Sequence, residues 1–222
     1  MNNLFQRIIT SGILFFIVSA SLLYNKYIWL IFLTIVSLIL FIEFNNLIEK
    51  IWKKKKNIIY NFNIISLLFL LILIYVSFDL YNNPPTRLVF IILICIFSDT
   101  GGYVIGNLVG GKKLTKISPN KTISGSIGSF IFSLFPIFIF WWFSNFTNHW
   151  SFKAESSLKL ILVCLFLCLI CQLGDLFISY FKRKAKIEDT GSILPGHGGL
   201  LDRIDGIIFV LPASYLIDKI FF

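Results

Sequence analysis

Seven apolar runs, at residues 8–24, 27–48, 58–80, 88–109, 123–143, 158–181 and 204–222, follow one another with only short polar links between them. An α-helix rises ~1.5 Å per residue and the hydrocarbon core of a bilayer is ~30 Å thick, so about 20 residues are needed to cross it. In lipid every backbone N–H and C=O must be satisfied internally, which restricts such runs to helices. The predicted fold class is therefore all-α, a polytopic integral membrane protein with about seven transmembrane helices. Composition agrees: 57% of the 222 residues are hydrophobic and 14% charged, too much apolar surface for a water-soluble domain of this length to bury. The first run reads as a retained signal anchor. The seventh contains Pro212 and Asp218, which leaves its ends open.

Orientation follows from the basic residues. With a cytoplasmic amino terminus, 15 of the 20 Lys and Arg residues fall on the inside: Arg7, the run Lys50 to Lys56, the loop 110–122 and the loop 182–203. Both polar loops are thus expected at the cytoplasmic face of a multi-pass protein of the cell inner membrane. The net charge of +9 belongs to that face, which suits anionic membrane lipids and small polyanions. No nucleic-acid-binding motif is present, so nucleic acid is not an expected partner.

Residues 1–86 read as amino-terminal transmembrane scaffold helices. Trp29 and Trp52 fall near span ends, as interfacial anchors do, and Glu43 reads as a helix-end residue near the inner interface. Lys53 to Lys56 form a topology determinant. Cys95, Cys164, Cys168 and Cys171 sit inside apolar runs and read as small buried hydrophobes. His149, beside Trp150 in an outside loop, reads as a solvated histidine.

Residues 87–222 carry the chemistry, as a catalytic transmembrane domain with cytoplasmic phosphate-binding loops. The fourth run places Asp99, Gly102, Tyr103 and Gly106 at helical spacings. Gly102, Gly106 and Gly110 form a small-xxx-small pattern that suits close helix packing, whereas an acid at Asp99 requires a cation, a metal or a water-filled cavity. The loop 110–122 combines glycines, lysines and hydroxyls ahead of a helix, groups that suit phosphate oxygens; it is not a Walker A loop. In the sixth run Gln172, Asp175, Ser179 and Lys182 form one polar stripe, which must face protein or water. Segment 174–205 is the most polar of the chain, and it returns to the membrane through Asp202, Arg203 and Asp205. If that last element is helical, Asp202 and Asp205 share a face near its start. Asp99, Asp175, Asp202 and Asp205 could then converge on one cavity, a set that favours a hard divalent cation completed by substrate phosphates. Lys121, Lys182, Arg183 and Arg203 are countercharges for a triphosphate. Cys and His residues in zinc-ligand spacing are lacking.

The motif Ser179, Phe181-Lys-Arg183, Glu188-Asp189, Pro195, His197-Gly-Gly-Leu200, Asp202-Arg-Ile-Asp205 resembles the carboxy-terminal motif of the phosphatidate cytidylyltransferases, also called CDP-diacylglycerol synthases. Asp99, Tyr103 and Gly106, and Ser118-Pro-Asn-Lys-Thr122, resemble that family's upstream segments. The similarity covers residues 97–205; the amino-terminal third matches only as hydrophobic spans, and the chain is short for the family, as though one or two amino-terminal spans were missing. Glu188 stands where the family has Lys, Asn120 replaces the first Lys of its Ser-Pro-Lys-Lys-Thr run, Ser124 replaces a usual Glu, and Asn107 takes a position often basic.

The resemblance implies transfer of a cytidylyl group from CTP to phosphatidic acid, giving CDP-diacylglycerol and pyrophosphate. It implies Mg²⁺, with a second cation left open. The implied ligands are Asp175, Asp202 and Asp205, with Asp99 either behind them or on the substrate side of the metal. Lys121, Lys182, Arg183 and Arg203 would neutralise phosphates, Ser118 and Thr122 would line the nucleotide loop, and His197 would contact pyrophosphate or orient a ligand. Oligomeric state is left open, a homodimer included. Two alternatives stand beside this reading: a related CTP-dependent membrane enzyme acting on a polyprenol or ether lipid, and a cation-coupled transporter, for which inverted repeats would be expected.

Overall fold

The computed structural model describes residues 3–82, 85–146 and 157–221; His149 and Trp150 lie outside them. Among the described residues there are nine helices: α1 (Asn3–Tyr24), α2 (Lys26–Ile51), α3 (Lys56–Asn82), α4 (Pro85–Val109), α5 (Ile123–Phe132), α6 (Phe135–Phe146), α7 (Ser157–Ala185), α8 (Leu201–Ile204) and α9 (Ile207–Phe221). The only β pairing among them is two isolated bridges, Lys113 with Thr122 and Leu194 with Gly198.

Among the described residues, five segments are long and apolar enough to cross a membrane: Lys26–Ile51, Lys56–Asn82, Pro85–Val109, Ile123–Phe143 and Leu158–Ala185. The chain is a multi-pass membrane protein on that basis; the count of seven is not confirmed. The apolar part of α1, Ile9–Tyr24, is shorter, and the last run is divided, because α8 is a single turn and α9 has 15 residues. The fifth segment is interrupted between Phe132 and Phe135. Pro136, in the first turn of α6, has no N–H to continue the α5 ladder.

The chain forms two compact units. One comprises Met1–Pro85 and Ile178–Asp205, the other Thr86–Phe177 and Gly206–Phe222, so α7 contributes to both.

In the first unit, α2 starts at the N-cap Asn25, whose side chain accepts the Tyr27 N–H at 3.0 Å. Its carboxy-terminal end packs Leu47 and Ile48 on Phe181 of α7, with Phe44, Trp52 and Phe62 around them. Trp52 is therefore a packing residue. It stacks on Phe62 at 4.9 Å between ring centroids and lies beneath the Lys184 ammonium at 4.4 Å. Trp29 also departs from the expected interfacial anchor: it is buried and stacks with Phe32 and with Tyr81.

The second unit is joined through glycine. A Cβ on Gly102 would come within 2.5 Å of Ser129 Oγ, and one on Gly125 within 2.7 Å of the Gly102 carbonyl oxygen, so α4 and α5 pack at backbone distance. Gly106 faces Gly125 and Thr122 across the same seam. Gly110 does not belong to it. It has φ +62° with open space around it, and ends α4 by donating its N–H to the Gly106 carbonyl. Arg87 at the start of α4 pairs with Asp218 of α9 at 2.8 Å, which accounts for that acid in an apolar run. All four cysteines are buried and unbridged.

Candidate active site

In the second unit, the loop between α4 and α5 folds back on itself. Leu114 N–H donates to the Lys121 carbonyl at 2.8 Å, Ile123 N–H to the Lys112 carbonyl at 3.0 Å, and Lys121 N–H to the Ser118 carbonyl at 3.1 Å. Gly111, at φ +106°, supplies a backbone conformation that side chains disfavour. Thr122 is the N-cap of α5: its hydroxyl oxygen accepts the Gly125 N–H at 3.0 Å. Ser124 Oγ donates to the Gly110 carbonyl, closing the loop. The turn directs Lys121 to Asp175 on α7, where ammonium and carboxylate form an ion pair with both side chains partly accessible. Asp99 on α4 is exposed and within electrostatic reach of both. One turn before Asp175, Gln172 accepts from Ser126 Oγ at 2.5 Å. The polar stripe of α7 thus meets polar partners, as its position among apolar residues required.

The first unit holds the rest of the motif. α7 ends when Lys186 takes a left-handed conformation at φ +58°. Ile187 N–H then donates to the Lys182 carbonyl and Lys186 N–H to the Arg183 carbonyl, both at 3.1 Å, a Schellman closure with Ile187 packed on the Phe181 cluster. The closure leaves Lys182 on the last turn, where its Nζ donates to Asp202 Oδ1 at 2.8 Å. Asp202 Oδ2 accepts three more donors: Thr190 N–H at 2.8 Å, Thr190 Oγ1 at 3.0 Å and Gly199 N–H at 3.0 Å. Burial would by itself raise the Asp202 carboxyl, but the Lys182 hydrogen bond and charge and the Thr190 and Gly199 N–H groups outweigh it and hold it below the ordinary aspartate value.

The segment 194–199 is a tight turn. Leu194 N–H donates to the Gly198 carbonyl at 2.9 Å, and the Leu194 carbonyl accepts from His197 and Gly198. Gly196 and Gly198 have φ of +76° and +84°, and a Cβ on Gly198 would press on Asp189 Cγ at 2.8 Å. His197 faces α1, with Nδ1 2.7 Å from Thr10 Oγ1 and Nε2 3.3 Å from Ser11 Oγ. Arg203 donates to the His197 carbonyl through Nε at 3.2 Å and Nη2 at 2.7 Å. A cleft of ≈ 520 Å³ opens here, lined among others by Gln6, Asp189, Ser192, His197 and Arg203.

Several expectations change in detail. The last apolar run is not one helix: Asp202 lies in the single turn α8 with Asp205 as its C-cap, still in helical backbone conformation, and α9 begins only at Ile207. Gly206, at the break, approaches Cys171 so closely that a Cβ would come within 2.5 Å of its Sγ. Of the four acids, Asp99 and Asp175 belong to one unit, Asp202 and Asp205 to the other. Among the described residues, no group of three or more His, Cys, Asp or Glu side chains is gathered to hold a metal ion. Asp99 and Asp175 nonetheless offer hard oxygen donors in the number that Mg²⁺ takes alongside substrate phosphates, so the donor chemistry fits. Ser118 lies in the turn before Lys121, and Arg183 is exposed.

Glu43 lies within α2 rather than at its end. It is 2% exposed, and its carboxylate accepts Leu200 N–H at 3.0 Å, Leu201 N–H at 2.8 Å and Thr190 Oγ1 at 3.2 Å. An acid within an apolar run was the available signal; its partners lie far along the chain. Thr190 and Thr10 gave no signal.

Residues 46–221 match the cytidylyltransferase family, a range that includes every site residue proposed from the sequence. Among curated proteins, the chain is 47% identical over 122 residues to the phosphatidate cytidylyltransferase of Staphylococcus haemolyticus, covering 54% of this chain and 44% of that protein. It is 36% identical over 147 residues to the one of Bacillus subtilis, covering 64% and 52%. The chain spans about half the length of the curated relatives it matches.

Proposed function

The chain belongs to the cytidylyltransferase family, and from that premise we propose that it transfers the cytidylyl group of CTP to phosphatidate, giving CDP-diacylglycerol and pyrophosphate for phospholipid biosynthesis. The observation that carries the reading is the family match across all the site residues, together with relatives named for this reaction. A lipid phosphate oxygen bonds to the α-phosphorus of CTP as the bond from that phosphorus to the bridging α–β oxygen breaks, and pyrophosphate departs. Positioning and charge neutralisation supply most of the acceleration in such transfers.

The second unit brings Lys121, Asp175 and Asp99 to this task. The first brings Lys182, Arg183 and Arg203, which neutralise phosphate oxygens, and His197, whose ring orients a ligand in the cleft beside it. Within the second unit, Mg²⁺ would be held by Asp99 and Asp175. When bound, the ion supplies charge neutralisation of the triphosphate. The excess of basic residues in these loops supports the reading that the reaction takes place at the cytoplasmic face of the inner membrane.

Purified protein supplied with CTP, Mg²⁺ and phosphatidate is expected to release pyrophosphate and form CDP-diacylglycerol. A lipid panel tests the acceptor: turnover with a polyprenyl phosphate or an ether lipid in place of phosphatidate would replace the substrate assignment, and no turnover with any acceptor would overturn the activity.

A further inference from the structure

Glu43 lies on α2, ahead of the segment that matches the family, and nothing in the reaction as described uses it. A carboxylate with 2% exposure is costly unless its oxygens are satisfied. Here Oε1 accepts Leu200 N–H, and Oε2 accepts Leu201 N–H and the Thr190 hydroxyl. These donors flank Asp202. Leu200 and Leu201 open the α8 turn that carries it, and Thr190 donates its N–H and directs its hydroxyl to Asp202 Oδ2. Thr190 Oγ1 is thus shared between two carboxylates, 3.2 Å from Glu43 and 3.0 Å from Asp202. The loop has been thinned to admit Glu43, since a Cβ on Gly191 would lie 2.6 Å from Oε1 and one on Gly199 2.7 Å from Oε2.

We infer that Glu43 is a positioning residue for the Asp202–Lys182 pair, fixing the Oδ2 edge of Asp202 through Thr190 and the start of α8. It acts on the reaction only through these groups. The inference rests on the proposed function for its kinetic part and not for its structural part.

Glu43→Gln keeps the shape but turns an NH₂ toward groups that are themselves donors, so one side of the loop loses its acceptor. In the full chain, kcat for CDP-diacylglycerol formation is expected to fall at least about 10-fold, the scale seen when groups that hold a site's ligands in place are removed, with the KM for phosphatidate unchanged. Thr190→Val should lower kcat about 3-fold or more and Thr190→Ser, which keeps the hydroxyl, should restore it. Because both act through Asp202, Glu43→Gln combined with Thr190→Val should cost little more than Glu43→Gln alone. Glu49→Gln, an exposed acid on the same helix, should leave kcat unchanged.

Hydrogen exchange of peptides covering residues 189–203 gives a readout independent of turnover, with Glu43→Gln expected to lose amide protection at Leu200 and Leu201. Multiplicative kinetic losses, or a loss explained wholly by a smaller folded fraction, would overturn the positioning role. Unchanged exchange in Glu43→Gln would overturn the anchoring itself. If the wild type proves inactive while the exchange result stands, the proposed function has failed and the anchor has not.

Discussion

Lys182 and Asp202, 20 residues apart, form an ion pair at 2.8 Å in which their side chains are 16% and 5% exposed. Three further donors surround the aspartate, so the charge is compensated on every side that the structure shows. Removing one partner of such a buried pair leaves the other uncompensated, which costs more than the pair itself contributes.

The lowered Asp202 carboxyl sets a pH dependence. Its folded value lies below the unfolded one, about 3.9, so the unfolded chain binds the proton more readily. The resulting stability is fully present above the unfolded value and is lost as pH falls through the folded value. In buffer with chelator, the wild type should therefore melt above Asp202→Asn by a constant margin from about pH 5 upward, and the margin should shrink on further acidification. Thermal melts in detergent at pH 3, 4, 5 and 7 measure it; a margin that grew toward acid would contradict the assignment.

Asp175→Asn removes the charge opposite Lys121 while keeping size. A neutral side chain costs less in the membrane than a carboxylate, so insertion and folding should persist. The kcat should drop at least about 100-fold, as for loss of a single preorganised electrostatic contact. Near-normal transfer by a well-folded variant would remove Asp175 from the site.

Glu188 is exposed, and lies beyond the end of α7, out of helical register with Lys184, whose ammonium sits over Trp52. Glu188→Lys should thus be tolerated, and by adding a cation next to the motif it should lower the KM for CTP. Steady-state kinetics at varied CTP decide this, and a large loss of kcat would show that the acid has a partner of its own.

Single cysteines at Lys54, Lys113 and Lys186, in a background without the native four, should react with impermeant maleimide only from the cytoplasmic side. Labelling of the Lys186 position from outside would reverse the orientation derived from the basic loops.

The sequence alone determined the helices and the polar set. Apolar runs of membrane length admit no other secondary structure, and charges among them are too expensive to be incidental, so Asp99, Asp175, Lys182 and Asp202 stood out without any tertiary information. Local chemistry also showed that glycines would bring helices together. What it could not decide was pairing. Lys121 meets Asp175 and Lys182 meets Asp202 because of how the chain folds back. Glu43 changes from a helix end to a loop anchor through partners 147 to 158 residues away. The break between α8 and α9, which falls at Asp205 and Gly206 in what reads as one apolar run, likewise accompanies the approach of Gly206 to Cys171. Periodicity records the face a residue presents, whereas contacts between segments distant in sequence exist only once the chain has folded.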